Sequence, residues 1–486
     1  MGTASEGMPT PIRDRLGIDS RAIGAFRVAL GLVLLVDVLS RARHLRALYT
    51  DAGIVPRSVV LAEYGGPYEL VLSLPDPWYP VLLFPIGVVC ALALIAGRRP
   101  RLSVFAGLLV VLLLQMRNPY VLNGGDVLMR LLFIWGLFLP YDDTALGGQG
   151  RQIFTISTVG LALQPLLVYA VNATHKLDSE MWLAGDAVAT VLATEQYTYL
   201  LGSVAGDVLA GTGLLVAANY IWVLMLVTSP LLLLSTGRLR TALVSLFALF
   251  HVGMLLTVSV GHFPLVSLAA LVVLYPPSAW DWAGSVAARV RERFGGDALG
   301  LGELPRVRST TAGLSGRSAG VPDQFASAAQ VLIFTVVPAV LVTFSLLSAA
   351  GAVGVPTPEQ TDQAVETADF GQDWQMFAPN PPDSNWWIAT PAERPDGTSV
   401  DAFHDRPFAA DSPKQANQIA SSRWRKYFQT LRYADTEPRQ SAYARYLCEN
   451  RNIERVELYY GYQTVPGEQP YEAGGETLSA FECSEF

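Results

Sequence analysis

The stretch Ile153 to Thr174, IFTISTVGLALQPLLVYAVNAT, runs for 22 residues without an Asp, Glu, Lys, Arg or His. About 20 apolar residues in a helix cross the hydrocarbon of a bilayer, so this stretch reads as a membrane span. It ends abruptly in His175-Lys176-Leu177-Asp178, where the apolar run meets an interface. Working outward, further apolar runs lie at 21–40, 79–97, 102–116, 125–140, 212–235, 239–260, 262–277 and 326–350, of which 102–116, 125–140 and 262–277 are short. The whole chain is 51% hydrophobic and only 16% charged, against roughly 25% charged for a soluble domain. The reading is a polytopic α-helical membrane protein of about nine transmembrane helices. A simple cytosolic enzyme, a disordered chain, a collagen and a disulfide scaffold are excluded, the last because there are three cysteines. Nucleic acid is excluded as a partner, since the net charge is −8 and no Lys/Arg block forms a phosphate-binding face.

Arginine placement orients the chain. Arg13, Arg15 and Arg21 precede the first run, Arg98, Arg99 and Arg101 follow the second, and Arg238 and Arg240 precede the seventh. Six more (Arg289, Arg291, Arg293, Arg306, Arg308 and Arg317) fill the 280–324 segment. With nine spans all these loops share one side, which the positive-inside rule makes cytoplasmic; Arg41, Arg43, Arg46 and Arg57 run against the trend. No cleavable signal peptide is visible. The division that follows is a cytoplasmic N-terminus at 1–20, a transmembrane domain at 21–280, a cytoplasmic linker at 281–324, a last helix at 325–351 and an extracytoplasmic α+β domain at 352–486. In that last part, Trp386 to Thr390 and Ser399 to Phe403 read as a hairpin around Pro395-Asp396-Gly397. Segments 421–433 and 439–450 read as helices, and Ile453 to Val465 as a strand. Cys448 and Cys483 fall in this domain and are expected to pair in an oxidising compartment, while Cys90 is expected to be a free packing residue.

Ionisable residues inside apolar runs are expensive and mark function by default. They are Arg27, Asp37, Asp126, Arg130, Lys176, Asp178, Asp207, His251 and His262. Asp126 and Arg130, four apart on one helical face, read as neutralising each other; Arg27 and Asp37 read as structural pairs with other helices. Lys176 is either an interfacial anchor that snorkels or a base, and it stands out in a chain with 31 Arg and only 3 Lys. His251, in Leu246-Phe-Ala-Leu-Phe250-His251, is either an interhelical hydrogen bonder or a ligand. No metal set follows from the spacing of the five histidines.

At these residues a resemblance emerges. Tyr169 to Gly185, with its His-Lys-Leu-Asp core and Trp182-x-x-Gly185, resembles the lysine motif of the vitamin K-dependent γ-carboxylase superfamily. Phe250-His251 followed by Gly261-His262-Phe263-Pro264 is similar to a later motif. The elements Gly24-x-x-Arg27, Asp37, Tyr49-x-Asp51-x-Gly53 and Asn123-Gly124-Gly125-Asp126 into Leu137-Phe-Leu-Pro140 also fit. Together they resemble the bacterial and archaeal branch called HTTM, the horizontally transferred transmembrane proteins, over roughly residues 20–280. Trp374 to Pro382, WQMFAPNPP, looks typical of that branch too.

The resemblance implies a reduced naphthoquinone of the vitamin K or menaquinol type as cofactor, with Lys176 as its base and Asn118, His175 and His251 around it. It implies a secreted or membrane-anchored protein or peptide as substrate. One departure stands out: where the carboxylase has Asn-His, this chain has Asn118-Pro119, so one polar contact to the quinone is missing. Two expectations therefore stand side by side. One is a quinol-using enzyme of the carbon-carbon lyase type that modifies an extracytoplasmic protein. The other is a non-catalytic membrane protein whose C-terminal domain binds a secreted or lipid-anchored partner.

Overall fold

In the computed structural model, which describes residues 10–142, 144, 146, 149–294, 328–367, 371–408, 421–433, 437–465 and 473–486, every apolar run of the sequence carries helix. In chain order these helices are α1 (Ser20–Ala42), α2 (Trp78–Ile95), α3 (Pro100–Arg117), α4 (Gly124–Leu137), α5 (Ile156–Leu177), α6 (Gly202–Leu209), α7 (Leu214–Val227), α8 (Gly237–Thr257), α9 (Phe263–Leu271), α10 (Pro277–Phe294) and α11 (Ala328–Ala352). Six of them (α1, α2, α3, α5, α8 and α11) are long and apolar enough to cross a membrane. Two bent pairs, α6 with α7 at 116° and α9 with α10 at 102°, raise the number to eight if each is one span. Helix α4, at 14 residues, reaches about 21 Å at 1.5 Å per residue, less than a bilayer core. The outer surface of the bundle is studded with exposed apolar side chains such as Leu92, Leu109, Leu224, Leu249 and Val340, which fits hydrocarbon as the surrounding solvent.

The caps explain where the inner helices begin. Asn123 opens α4 with a capping box, its side chain accepting from Gly125 N while Asp126 Oδ2 accepts from Asn123 N at 2.9 Å. Thr155 opens α5 in the same way with Thr158. The helix ends sort into two groups. At one end Ser20 N donates to Arg151 O at 2.8 Å, Arg21 pairs with Asp281 of α10 at 2.8 Å, and Arg240 of α8 donates to Arg15 O at 2.8 Å. The other end gathers the last turn of α1 and the starts of α4 and α9 beneath the C-terminal part of the chain.

That part is an antiparallel sheet with two helices: β1 (Ser384–Ala389), β2 (Pro391–Glu393), β3 (Ser399–Asp401), β4 (Arg406–Pro407), α12 (Ser422–Thr430), α13 (Glu437–Asn450), β5 (Arg455–Thr464) and β6 (Ala473–Glu482). Strand β5 is central, with β1 and β2 on one edge and β6 on the other. The hairpin around Asp396 and Gly397 is formed by β2 and β3, register Ala392↔Val400, and not by Trp386 to Thr390. That stretch instead becomes β1 and pairs with Tyr459 to Thr464, because Trp387 lies flat over Gly461, where an added Cβ would sit 2.4 Å from the indole ring. Cys448 of α13 is bonded to Cys483 beyond β6, with a Cα–Cα distance of 5.5 Å, and Cys90 is a buried free thiol. Of the 281–324 linker, residues 295–324 lie outside the described residues.

Candidate functional site

Asp126 does not pair with Arg130. Its Oδ1 accepts from Arg41 of α1 and, at 3.1 Å, from Arg423 of α12, while Arg130 donates to Gln115 Oε1 at 3.3 Å. Asp37 accepts from Arg41 Nε at 2.8 Å and from Arg423 Nη2 at 2.6 Å. Arg41 also donates to Tyr49 OH at 2.8 Å, and His262 lies 3.8 Å from Asp37 and 3.7 Å from Asp126. Tertiary partners beat the i,i+4 neighbour because they supply two guanidinium groups to two carboxylates, a balanced buried set. Asp37, Asp126 and His262 lie close enough to hold a metal ion. However, the two guanidinium groups already take the carboxylate oxygens, so the set is an ion-pair network. Arg27, whose partner lies in the neighbouring helix as expected, meets backbone there: it donates to Leu94 O and to Ile95 O at 3.1 Å, at the C-terminus of α2. Asp178 and Asp207 are exposed.

Next to this network lies a cavity of about 740 Å³ bounded by α5, α7, α8 and the C-terminal part. The segment after α11 re-enters the bundle to close it. Gln372 N donates to Ser348 Oγ at 3.0 Å, and Gln372 Oε1 accepts from Gln164 of α5 at 2.9 Å and from Trp374 Nε1 at 3.0 Å. Asn172 Nδ2 donates to Trp374 O at 2.7 Å. The turn that follows puts Phe377 at φ 53°, a conformation a bulky residue holds only when contacts impose it. Its carbonyl accepts from Trp182 Nε1 at 2.7 Å.

Lys176, in the last turn of α5, lines this cavity and is 1% exposed. Its Nζ donates to Met376 O at 2.9 Å and Phe377 O at 3.4 Å and lies 3.5 Å from the centre of the Trp182 ring. It is therefore no snorkelling anchor. His251 lines the same cavity: its Nδ1 lies 2.8 Å from Phe247 O and so carries the proton, leaving Nε2 as an acceptor. Nε2 and the Tyr169 hydroxyl are buried and meet no hydrogen-bond partner among the described residues. Around them Tyr169, Trp222 and His251 stand with ring centres 5.8 to 6.5 Å apart, and Trp222 stacks on Phe250 at 4.5 Å. A flat aromatic ligand carrying oxygens fits such a wall, with a donor to His251 Nε2 and an acceptor for Tyr169.

The structure brings together Lys176 and His251, and leaves out two other expected cofactor residues. Asn118 is fully buried outside the cavity, its Nδ2 donating to Leu48 O at 2.8 Å. The chain turns at Asn118 into Pro119, and the amide meets the short helix Leu45–Tyr49 that follows α1. His175, one residue before Lys176, faces away and lies 3.2 Å from Asp373. Conversely, Arg425 and Lys426 of α12 line the cavity and were not singled out by the sequence. The one available signal was the rarity of lysine, since Lys426 is one of the chain's three; that it shares a cavity with Lys176 is visible only in the fold.

Comparison of the chain with protein families, with curated proteins and with solved structures finds no match.

Proposed function

We propose that this chain is a multi-pass membrane enzyme in which Lys176 is the base toward a lipid-soluble reduced naphthoquinone, serving to modify a protein or peptide at the membrane face that bears the C-terminal domain. The observation that carries this reading is the setting of Lys176: a primary amine in an apolar aromatic cavity whose wall also carries His251. A neutral amine has two N–H groups and one lone pair. The carbonyls of Met376 and Phe377 account for both N–H groups, which leaves the lone pair to take a proton. His251 Nε2 and the Tyr169 hydroxyl orient a polar ring at that spot. When bound, the quinol supplies the proton for Lys176 and, with oxygen, a strong base able to remove a γ-proton from an acidic side chain. Loss of Asn118 from the cavity leaves orientation to His251 and Tyr169 alone.

The order of helix ends supports nine crossings, with α4, α7 and α9 as short crossings, the N-terminus cytoplasmic and the C-terminal domain extracytoplasmic. The receptor alternative is disfavoured by one observation. The C-terminal part spends Arg425 and the 371–382 segment on building the cavity and Arg423 on the ion-pair network beside it, rather than presenting itself as a separate module. The test is mass spectrometry of cell-surface proteins from cells carrying wild-type or Lys176→Arg protein. Arginine keeps the charge and cannot lose its proton, so the expected result is loss of a modification with insertion intact. A modification pattern indifferent to Lys176→Arg would overturn the reading.

A further inference from the structure

Among the described residues, none that line the cavity is an aspartate or glutamate, yet three carry basic side chains: Lys176, Arg425 and Lys426. Their partners differ. Lys176 is held by carbonyls and an indole. Arg425 donates to Gln196 O at 2.6 Å, to Ser259 Oγ at 3.3 Å and to Ser259 O, and lies 4.4 Å from the Tyr197 ring centre. Lys426 has neither a hydrogen bond nor an ion pair among the described residues. The nearby carboxylates of Asp37 and Asp126 are already matched by Arg41 and Arg423. An uncompensated positive end in an otherwise apolar chamber is costly unless an anion completes it.

Another part of the cavity wall is of a different kind. Leu246, Leu249, Val252 and Leu256 on α8 line it and are at the same time exposed on the outer surface of the bundle. Gly253 lies among them, with nothing within 4 Å of where its Cβ would be. The chamber wall thus combines exposed apolar side chains of α8 with the cations of α12.

We infer that the cavity binds an anionic lipid, which enters along α8, lays its acyl chain against the leucines there and sets its phosphate or carboxylate head on Lys426 and Arg425. This site stands independently of the quinol reading: it uses the α12 end of the chamber and needs no proton transfer by Lys176.

The test is native mass spectrometry of the full-length protein, delipidated in detergent and offered phosphatidylglycerol, oleate or chain-matched phosphatidylcholine. The expected result is one anionic lipid per chain with a preference over phosphatidylcholine of about tenfold, the factor one charge-assisted hydrogen bond supplies. Lys426→Gln should remove the preference and Lys426→Arg keep it. Gly253→Phe, which narrows the cavity at α8 without touching a cation, should lower occupancy by both lipid classes with the melting temperature unchanged. That variant keeps the test decisive should Lys426→Gln fail to fold. Equal retention of anionic and zwitterionic lipid, a preference that survives in Lys426→Gln, or Gly253→Phe with wild-type occupancy would each overturn the inference. Inorganic phosphate displacing the lipid head at millimolar concentration in wild type but not in Lys426→Gln would assign the site to a free anion and overturn the lipid.

Discussion

Replacing Arg423 by Gln should undock the C-terminal domain from the helices. Arg423 reaches from α12 to two carboxylates of the bundle, 2.6 Å from Asp37 and 3.1 Å from Asp126, and all three side chains are at most 5% exposed. With Arg41 the set holds two negative and two positive charges. Removing one guanidinium leaves a net buried negative charge. At about 4 Å and an effective dielectric near 20, one charge pair is worth about 4 kcal/mol, in line with the ~3–5 kcal/mol measured for breaking buried pairs. Total stabilities are about 5–15 kcal/mol, so the variant should lose a large share of its docking energy. The assay is amide hydrogen exchange of the full chain in detergent, comparing α12 and the 371–382 segment with α2 and α3. Exchange in the first pair should rise while the second stays protected. Asp126→Asn on top of Arg423→Gln restores the charge balance and should recover more than about 1 kcal/mol relative to additivity. An Arg423→Gln protein with wild-type protection in α12, or a strictly additive double variant, would refute the account of the network.

Three further outcomes follow from the same geometry. Cys448→Ser with Cys483→Ser should destabilise the C-terminal domain by about 2–5 kcal/mol, read as a lower denaturant midpoint that reducing agent reproduces in wild type; a midpoint unmoved by either would contradict it. Burial, and after it the charge of Arg425, holds Lys426 below the usual lysine value of 10.5. Between the two values the unfolded chain binds more protons, so stability rises with pH there, and the gain from Lys426→Met should shrink as pH rises through that window; a gain constant with pH would count against it. Reporters placed after Phe486 and within 300–320 should lie on opposite sides of the membrane, and finding them together would sink the nine-crossing topology.

The helices were legible because hydrophobic length is a local property: each run of the sequence, including the short ones, is helix. Lys176 was legible as well, since a lysine after an uncharged run is conspicuous where arginine is the usual cation. What escaped shares one cause. Arg423, Arg425 and Lys426 sit in Arg-Trp-Arg-Lys, a pattern that reads as the polar side of a surface helix, and their burial depends on residues hundreds of positions earlier. Asp126 and Arg130 have the spacing of a helical ion pair, but spacing does not reveal that α1 and α12 offer better partners. Strand β6, Ala-Gly-Gly-Glu-Thr-Leu-Ser-Ala-Phe-Glu, has glycines and no clean alternation, so its pairing with β5 is written in the partner and not in itself. Asn118 was placed by resemblance, and the turn into Pro119 sends it elsewhere.

The re-entry of residues 371–382 has a consequence for biogenesis. The carbonyls that hold Lys176 emerge from the ribosome about 200 residues after the lysine itself, and after α11. Until then the amine has neither Met376 nor Phe377, and the chamber stands open above α5. The protein therefore acquires its inner chamber only after α11 has been made, when the 371–382 segment and α12 arrive, on the far side of the bundle from the α10 end. A chain cut short before Gly371 would keep α1 to α11 and lack the site, so a ribosome that stalls there releases an inert scaffold and not a half-working one.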